Sequence, residues 1–232
     1  MMSTTIEFVR RASPDQWSDH AMELRHALDL LDNLNEDDLI VTYSSETGSA
    51  ASKSHVSRTW LLLAGFAIEN LLKGLLIAEN PSYVSNGHLS RKARHHCLTR
   101  LAERLTSIRL NQGDMVLLSL LESALPSWGR YPIPLSAEDV QEEEFAECNV
   151  RTRFATLFDK IDHCLYERIK NGWDGPNGFR LKGVIRSDLE RLPIGWEGMA
   201  VEDVFSWRAK HARAAHERRA KGNTGSDTAF LA

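Results

Sequence analysis

Cysteine is scarce: the 232-residue chain has three, Cys97, Cys148 and Cys164, widely spaced and without a CxxC pair. An odd, scattered set argues against a disulfide framework and suits reduced thiols, so a reducing compartment, the cytoplasm, is expected. Strong charge of either sign is also lacking, with a formal net charge of -4 and 26% charged residues. No global field draws such a chain to nucleic acid or an anionic membrane, and any nucleic-acid contact has to be local. The N-terminal stretch MMSTTIEFVRRASPDQW has no continuous apolar run after its basic start, so a secretory signal is not expected. Phosphate-cradling motifs are missing too. The glycine-rich NGWDGPNGFRLKG, 171–183, matches neither a Walker A pattern nor a GxGxxG that opens a helix, and reads as a structured surface loop. No internal repeat is evident.

What the chain does have is one long apolar segment. From Val56 to Ala78 the residues are mostly Leu, Ala, Ile, Phe and Trp, interrupted by Arg58, Thr59, Gly65, Glu69, Asn70, Lys73 and Gly74. A helix that is apolar all round is buried all round. Its length approaches that of a membrane span, but Glu69 and Lys73 would each cost about 2.5 to 3.5 kcal/mol at a bilayer centre, so it reads as the core helix of a protein that does not enter the membrane.

Around it the sequence predicts further helices. Ser13-Pro14-Asp15-Gln16 reads as a helix start, with Ser13 as cap, Pro14 at the first helical position and Gln16 reaching back. A third helix is expected to start between Ser90 and His95 and to continue through Leu98, Leu101 and Leu105, a fourth spans about Asp114 to Ala124, and a long amphipathic one spans about Asn149 to Lys170. Residues 44–54, SSETGSAASKS, read as a mobile surface loop. The acidic run within 136–147 reads as a solvated helical face, and 200–221 as a helix with a basic face. The expected fold is all-α, an antiparallel helical bundle with a central buried helix and a less regular C-terminal extension. Its expected limits are a bundle over 14–170, an extension over 171–221 and a disordered tail over 222–232.

Two groups of residues invite chemistry. Glu69 and Lys73 lie four apart, glutamate first, the better order for an ion pair on a helix. Two buried charges need pairing, and such a pair is expected to be structural while anchoring a further group such as Arg130 or Tyr131. The second group is Ser90-Arg91-Lys92-Ala93-Arg94-His95-His96-Cys97. A histidine titrates near neutrality and an arginine stabilises phosphate charge, the needs of metal-independent RNA cleavage; His96 is the first candidate base and Arg91 the candidate clamp. The plainer reading is that His95 or His96 braces a helix start. A zinc set drawn from His88, His95, His96 and Cys97 matches no standard spacing, so no metal and no cofactor is expected. His163, Cys164, His211 and His216 carry no carboxylate arrangement that would make a Cys/His nucleophile.

The segments AGFAIENLLKGLLI (64–77), HHCLTRLAERL (95–105) and GRYPIP (129–134) together resemble the HEPN superfamily of nucleotide- and RNA-associated helical bundles. Ala67, Glu69, Leu72 and Lys73 match an AxExxLKxLL-like run on the second helix, with Gly74 where alanine is common. His96, Leu98 and Leu101 match a later His-x-Leu-x-x-Leu, and Arg130, Tyr131 and Pro132 an Arg-Tyr-Pro segment. The resemblance covers about residues 15–170. It implies a module of a nucleic-acid- or defence-related system that binds nucleotide, RNA or a protein partner, with Lys73, Arg94, His95, Arg130 and Tyr131 near the ligand. It also implies an alternative, a toxin-like endoribonuclease in which Arg91 and His96, at the Arg-x4-6-His spacing, act across a homodimer interface. A third reading is a structural interaction protein that docks another chain through Trp128–Pro134 and the basic C-terminal helix.

Overall fold

A computed structural model of the chain describes residues 4–32, 39–44, 48–54, 57–125 and 149–186, residue 46, and a few positions between 199 and 210. The chain divides into two compact units, Met1–Val184 and Ile185–Ala232. The first holds every element below. In the second the described residues are isolated, with Asp203 donating its N–H to the Ala200 carbonyl. The acidic run and the Trp128–Pro134 segment, with Arg130 and Tyr131, lie outside the described residues. So do all but a few positions of the segment 200–221, read from sequence as a helix with a basic face.

The fold is all-α. Among the described residues there are seven α-helices: α1 (Thr4–Arg11), α2 (Pro14–Asp32), α3 (Ser57–Glu79), α4 (Arg91–Arg94), α5 (Leu98–Glu103), α6 (Gln112–Ala124) and α7 (Val150–Ile169). They bundle around α3, which packs against α2, α5, α6 and α7. Ala67, Ile68, Leu71, Leu72, Leu75, Leu76 and Ile77 of α3 are all 0% exposed, so from Ala67 to Ala78 every face of this helix meets protein. That is why its sequence shows no polar stripe. Although α3 is long and apolar enough to cross a membrane, most of its apolar surface is covered by neighbouring helices.

Glycine sets how closely α3 is approached. A Cβ on Gly65 would lie 2.9 Å from Leu125 Cδ2 and 3.1 Å from the Leu121 carbonyl, and one on Gly74 would lie 3.0 Å from both Leu165 Cδ2 and Trp17 Cβ. α6, α7 and α2 therefore sit on α3 at distances that a methyl group would widen. Aromatic edges complete the core on the α7 side, where Trp60 meets Phe154 at 5.2 Å and 73°.

The structure corrects or refines four sequence readings. Residues 44–54 are not a loop: β1 (Leu39–Ser44) pairs antiparallel with β2 (Ser49–Ser54), with Gly48 at φ 62 between them. The predicted helix does start at Pro14, as α2, but another helix, α1, precedes it, and Ser13 Oγ, with one proton, lies within hydrogen-bond distance of both the Arg10 carbonyl and the Asp15 carboxylate. The glycine-rich segment contains a small antiparallel pair, β3 (Trp173–Asp174) with β4 (Arg180–Leu181), joined by a turn in which Asn177 and Gly178 take positive φ. Finally, the third helix is two short ones, α4 and α5, broken at His95–Cys97.

Candidate functional site

The two short helices that flank the break are each capped at their N-termini. Ser90 accepts from the Lys92 N–H at the start of α4. His95 then leaves helical geometry with ψ 164, and Cys97 is likewise extended at ψ 101. The open N-terminus of α5 is satisfied by Glu122 of α6, whose carboxylate accepts from Thr99 N at 3.0 Å and Thr99 Oγ1 at 2.9 Å. A carboxylate at a helix N-terminus fills orphan donors and meets the positive end of the dipole. Burial raises the Glu122 pKa, but the donors from Cys97, Thr99 and Leu98 outweigh it and hold the carboxyl below the ordinary value. His95, His96 and Cys97 therefore stand on an extended segment, not on one helix.

That segment lays His96 over α3. Its Nδ1 lies 3.0 Å from both carboxylate oxygens of Glu69, and Lys73 Nζ donates to Glu69 Oε1 at 2.6 Å. The expected Glu69–Lys73 ion pair is formed, and among the described residues the further group it anchors is a histidine 27 residues away. Lys73 also stands over the Trp17 ring at 5.7 Å. The side chains of Glu69 and Lys73 are 7% and 6% exposed, whereas that of His96 is 61% exposed. A buried anion, held by a buried cation, thus grips one nitrogen of a solvent-facing imidazole. In the neutral ring, Nδ1–H donates to the carboxylate and Nε2 is left as the acceptor. This second-nitrogen anchoring fixes both tautomer and orientation, as a general base requires.

The other predicted residues fall as follows. Arg91 opens α4 and is exposed; no hydrogen bond or ion pair joins it to His96 among the described contacts. Arg94, the last residue of α4, is exposed as well. His95 is half-buried, and among the described residues neither ring nitrogen meets a partner with good hydrogen-bond geometry. Burial first, then the charges of Arg104, Lys73 and Arg100, hold its pKa below the ordinary imidazole value, against a weaker opposing contact with the Cys97 backbone. The segment around the two histidines is therefore locally positive although the chain as a whole is not. Lys73 faces Glu69 in the interior and presents little surface to any ligand. Cys97 and Cys164 are free thiols, and among the described residues no group of three or more His, Cys, Asp and Glu side chains is placed to share a metal ion.

Sequence reasoning missed the Glu69–His96 contact because no local pattern spans 27 residues. The available signal was that a carboxylate on a wholly buried helix has more lone pairs than one lysine can satisfy. It also missed a cleft of about 410 Å³ beside α4, lined by Glu79, Asn80, Tyr83, Lys92, Arg104 and Thr106. No family model, curated protein or solved structure matches the chain.

Proposed function

We propose that the protein is a HEPN-like helical module that acts on RNA, and that it cleaves the strand with His96 as general base. One observation carries this reading: a 61%-exposed imidazole held through Nδ1 by a buried carboxylate, with Nε2 turned away from it. In the proposed step Nε2 takes the proton of a ribose 2′-hydroxyl as the 2′-oxygen bonds to the adjacent phosphorus. The bond from phosphorus to the 5′-oxygen breaks, and that oxygen leaves with a proton from solvent, giving a 2′,3′-cyclic phosphate and a 5′-hydroxyl end. Arg91, with Arg94 on the same short helix, supplies the positive charge for the phosphate. A second copy of the chain would bring two such sites together, and the cytoplasm is the expected compartment.

A binding-only version of the same module is favoured by the exposed cations Arg91, Lys92, Arg94, Arg100 and Arg104, which suit phosphate contacts whether or not the strand is cut. The two versions separate in one assay, in which purified protein is incubated with end-labelled RNA and the products are resolved. Cleavage that falls about 100-fold or more in His96→Ala and substantially in Glu69→Gln is expected, in line with the usual contribution of a general base. Equal cleavage by His96→Ala rules out the assigned base. Binding without cleavage by the wild type favours the second version.

A further inference from the structure

Among the described residues two imidazoles meet a carboxylate, and they differ in what lies beneath them. On α2, His20 Nδ1 is 3.1 Å from Glu23 Oε2, but the Glu23 side chain is 75% exposed, so solvent screens the contact and competes for it. His96 Nδ1 is 3.0 Å from both oxygens of Glu69, whose side chain is 7% exposed. Water screens a buried charge far less, so the ring is held with Nδ1 engaged and Nε2 turned away from the carboxylate. Lys73 adds a second property. Its ammonium, 2.6 Å from Glu69 Oε1, offsets the carboxylate charge, so an anion that approaches Nε2 does not face an uncompensated negative group. An imidazole held in this way is a nucleophile as well as a base, because the lone pair that takes a proton also attacks an electrophilic centre.

We propose that His96 is a phosphoryl-acceptor site, modified on Nε2 by a donor whose phosphorus is bound to nitrogen or to an acyl oxygen. The Nε2 lone pair forms the new N–P bond as the bond from phosphorus to the donor's nitrogen or acyl oxygen breaks, and the departing amine or carboxylate keeps that electron pair. The ring retains its proton on Nδ1 and gains positive charge. The buried Glu69 carboxylate stabilises that charge, as the buried aspartate of a hydrolytic triad stabilises its imidazolium. The phosphoryl group stands on the exposed side of a ring that is 61% exposed, on a segment that follows the exposed Arg91 and Arg94 of α4. The modification needs neither a ribose nor a second copy of the chain, so it does not rest on RNA cleavage. The two uses of Nε2 exclude each other, since a phosphoryl group there occupies the lone pair that a general base requires. In a protein that cleaves RNA, the modification therefore switches cleavage off.

Incubation of the full chain with phosphoramidate, and separately with acetyl phosphate, tests this. Labelling is followed over time by mass spectrometry of peptides kept at alkaline pH, where phosphohistidine survives, and His20 in the same molecule serves as the reference. The expected result is that His96 takes the label about 10-fold or more faster than His20, the scale of one hydrogen bond to a charged group. Phosphorus NMR of the labelled protein should show the Nε2 adduct. Glu69→Gln, which keeps an acceptor for Nδ1–H but not the charge, should slow the labelling of His96 about 10-fold or more and leave that of His20 unchanged, with a thermal melt to check that the variant folds. The comparison of His96 with His20 in the wild type needs no variant, so it decides the matter even if Glu69→Gln does not fold. The faster of the two reagents identifies the donor class, nitrogen-linked or acyl-linked. The proposal is overturned if neither reagent labels His96 faster than His20, if the adduct is on Nδ1, or if a folded Glu69→Gln labels at the wild-type rate. None of these readings depends on RNA, so a protein that cleaves nothing still tests the site.

Discussion

Glu69→Ala is the perturbation whose cost follows most directly from the structure. The substitution removes the only hydrogen-bond partner described for Lys73 Nζ, whose side chain is 6% exposed, and leaves it, among the described residues, the Trp17 ring 5.7 Å away. Breaking a buried pair by deleting one member typically costs about 3 to 5 kcal/mol, because the other charge stays desolvated. Domains of this kind are stable by only about 5 to 15 kcal/mol, so the loss is a large share of the total. His96 adds little, since its ring is mostly solvated and exposed pairs contribute about 0 to 1 kcal/mol. The joint replacement Glu69→Leu with Lys73→Met removes both charges at similar volume and is expected to be neutral or up to about 4 kcal/mol stabilising. Urea unfolding followed by circular dichroism reads both, as midpoint shifts at unchanged slope. The reasoning is refuted if Glu69→Ala costs under about 1 kcal/mol, or if the double variant is less stable than Glu69→Ala.

Other expectations follow from packing, capping and titration. Gly65→Ala places a methyl group 3.1 Å from the backbone carbonyl of Leu121, and the overpacking cost of about 1 to 3 kcal/mol should exceed the gain of about 1 kcal/mol in helix propensity. A lower melting temperature is the expected reading, and a higher one contradicts the close α3–α6 approach. Asn111 and Asp114 form a reciprocal capping box on α6, so Asn111→Ala should cost about 1 kcal/mol in urea unfolding. The folded-state pKa values of Glu79 and Glu122 lie below their ordinary values. Their contribution is therefore complete above the unfolded carboxylate pKa of about 4.3 and is lost as pH falls from there through the folded values. Glu79→Gln should narrow its stability gap to the wild type on acidification, and a gap that widens below pH of about 4 contradicts the sign.

The sequence revealed the parts of the fold that repeat locally. The apolar run from Val56 to Ala78 became α3 (Ser57–Glu79), and the stripe of Phe154, Leu157, Phe158, Ile161 and Leu165 became the buried face of α7. Local patterns were silent where tertiary partners decide. The β2 strand is SAASKS, which has no β-branched or aromatic residue to mark it, and only its pairing with LIVTYS makes it a strand. The spacing of Leu98, Leu101 and Leu105 suggested one continuous helix from the basic segment, but Glu122 from α6 and Glu69 from α3 hold that segment open between Arg94 and Leu98. The site was half legible for the same reason. His96 stood out by its neighbours and Glu69 by its burial, but their contact depends on how α5 is laid across α3. Tyr83, on a short helical turn between α3 and α4, carried no signal that it would share a cleft with Lys92 and Arg104.

The proposed catalysis requires that Glu69 hold His96 by Nδ1 and leave Nε2 as the acceptor. Long-range proton–nitrogen NMR of the histidine rings, with the His96 signals assigned by their loss in His96→Ala, reads this directly at a pH where the ring is neutral. The account predicts that His96 carries its proton on Nδ1 in the wild type and loses that preference in Glu69→Ala, provided the variant remains folded. A wild-type His96 protonated on Nε2 contradicts it.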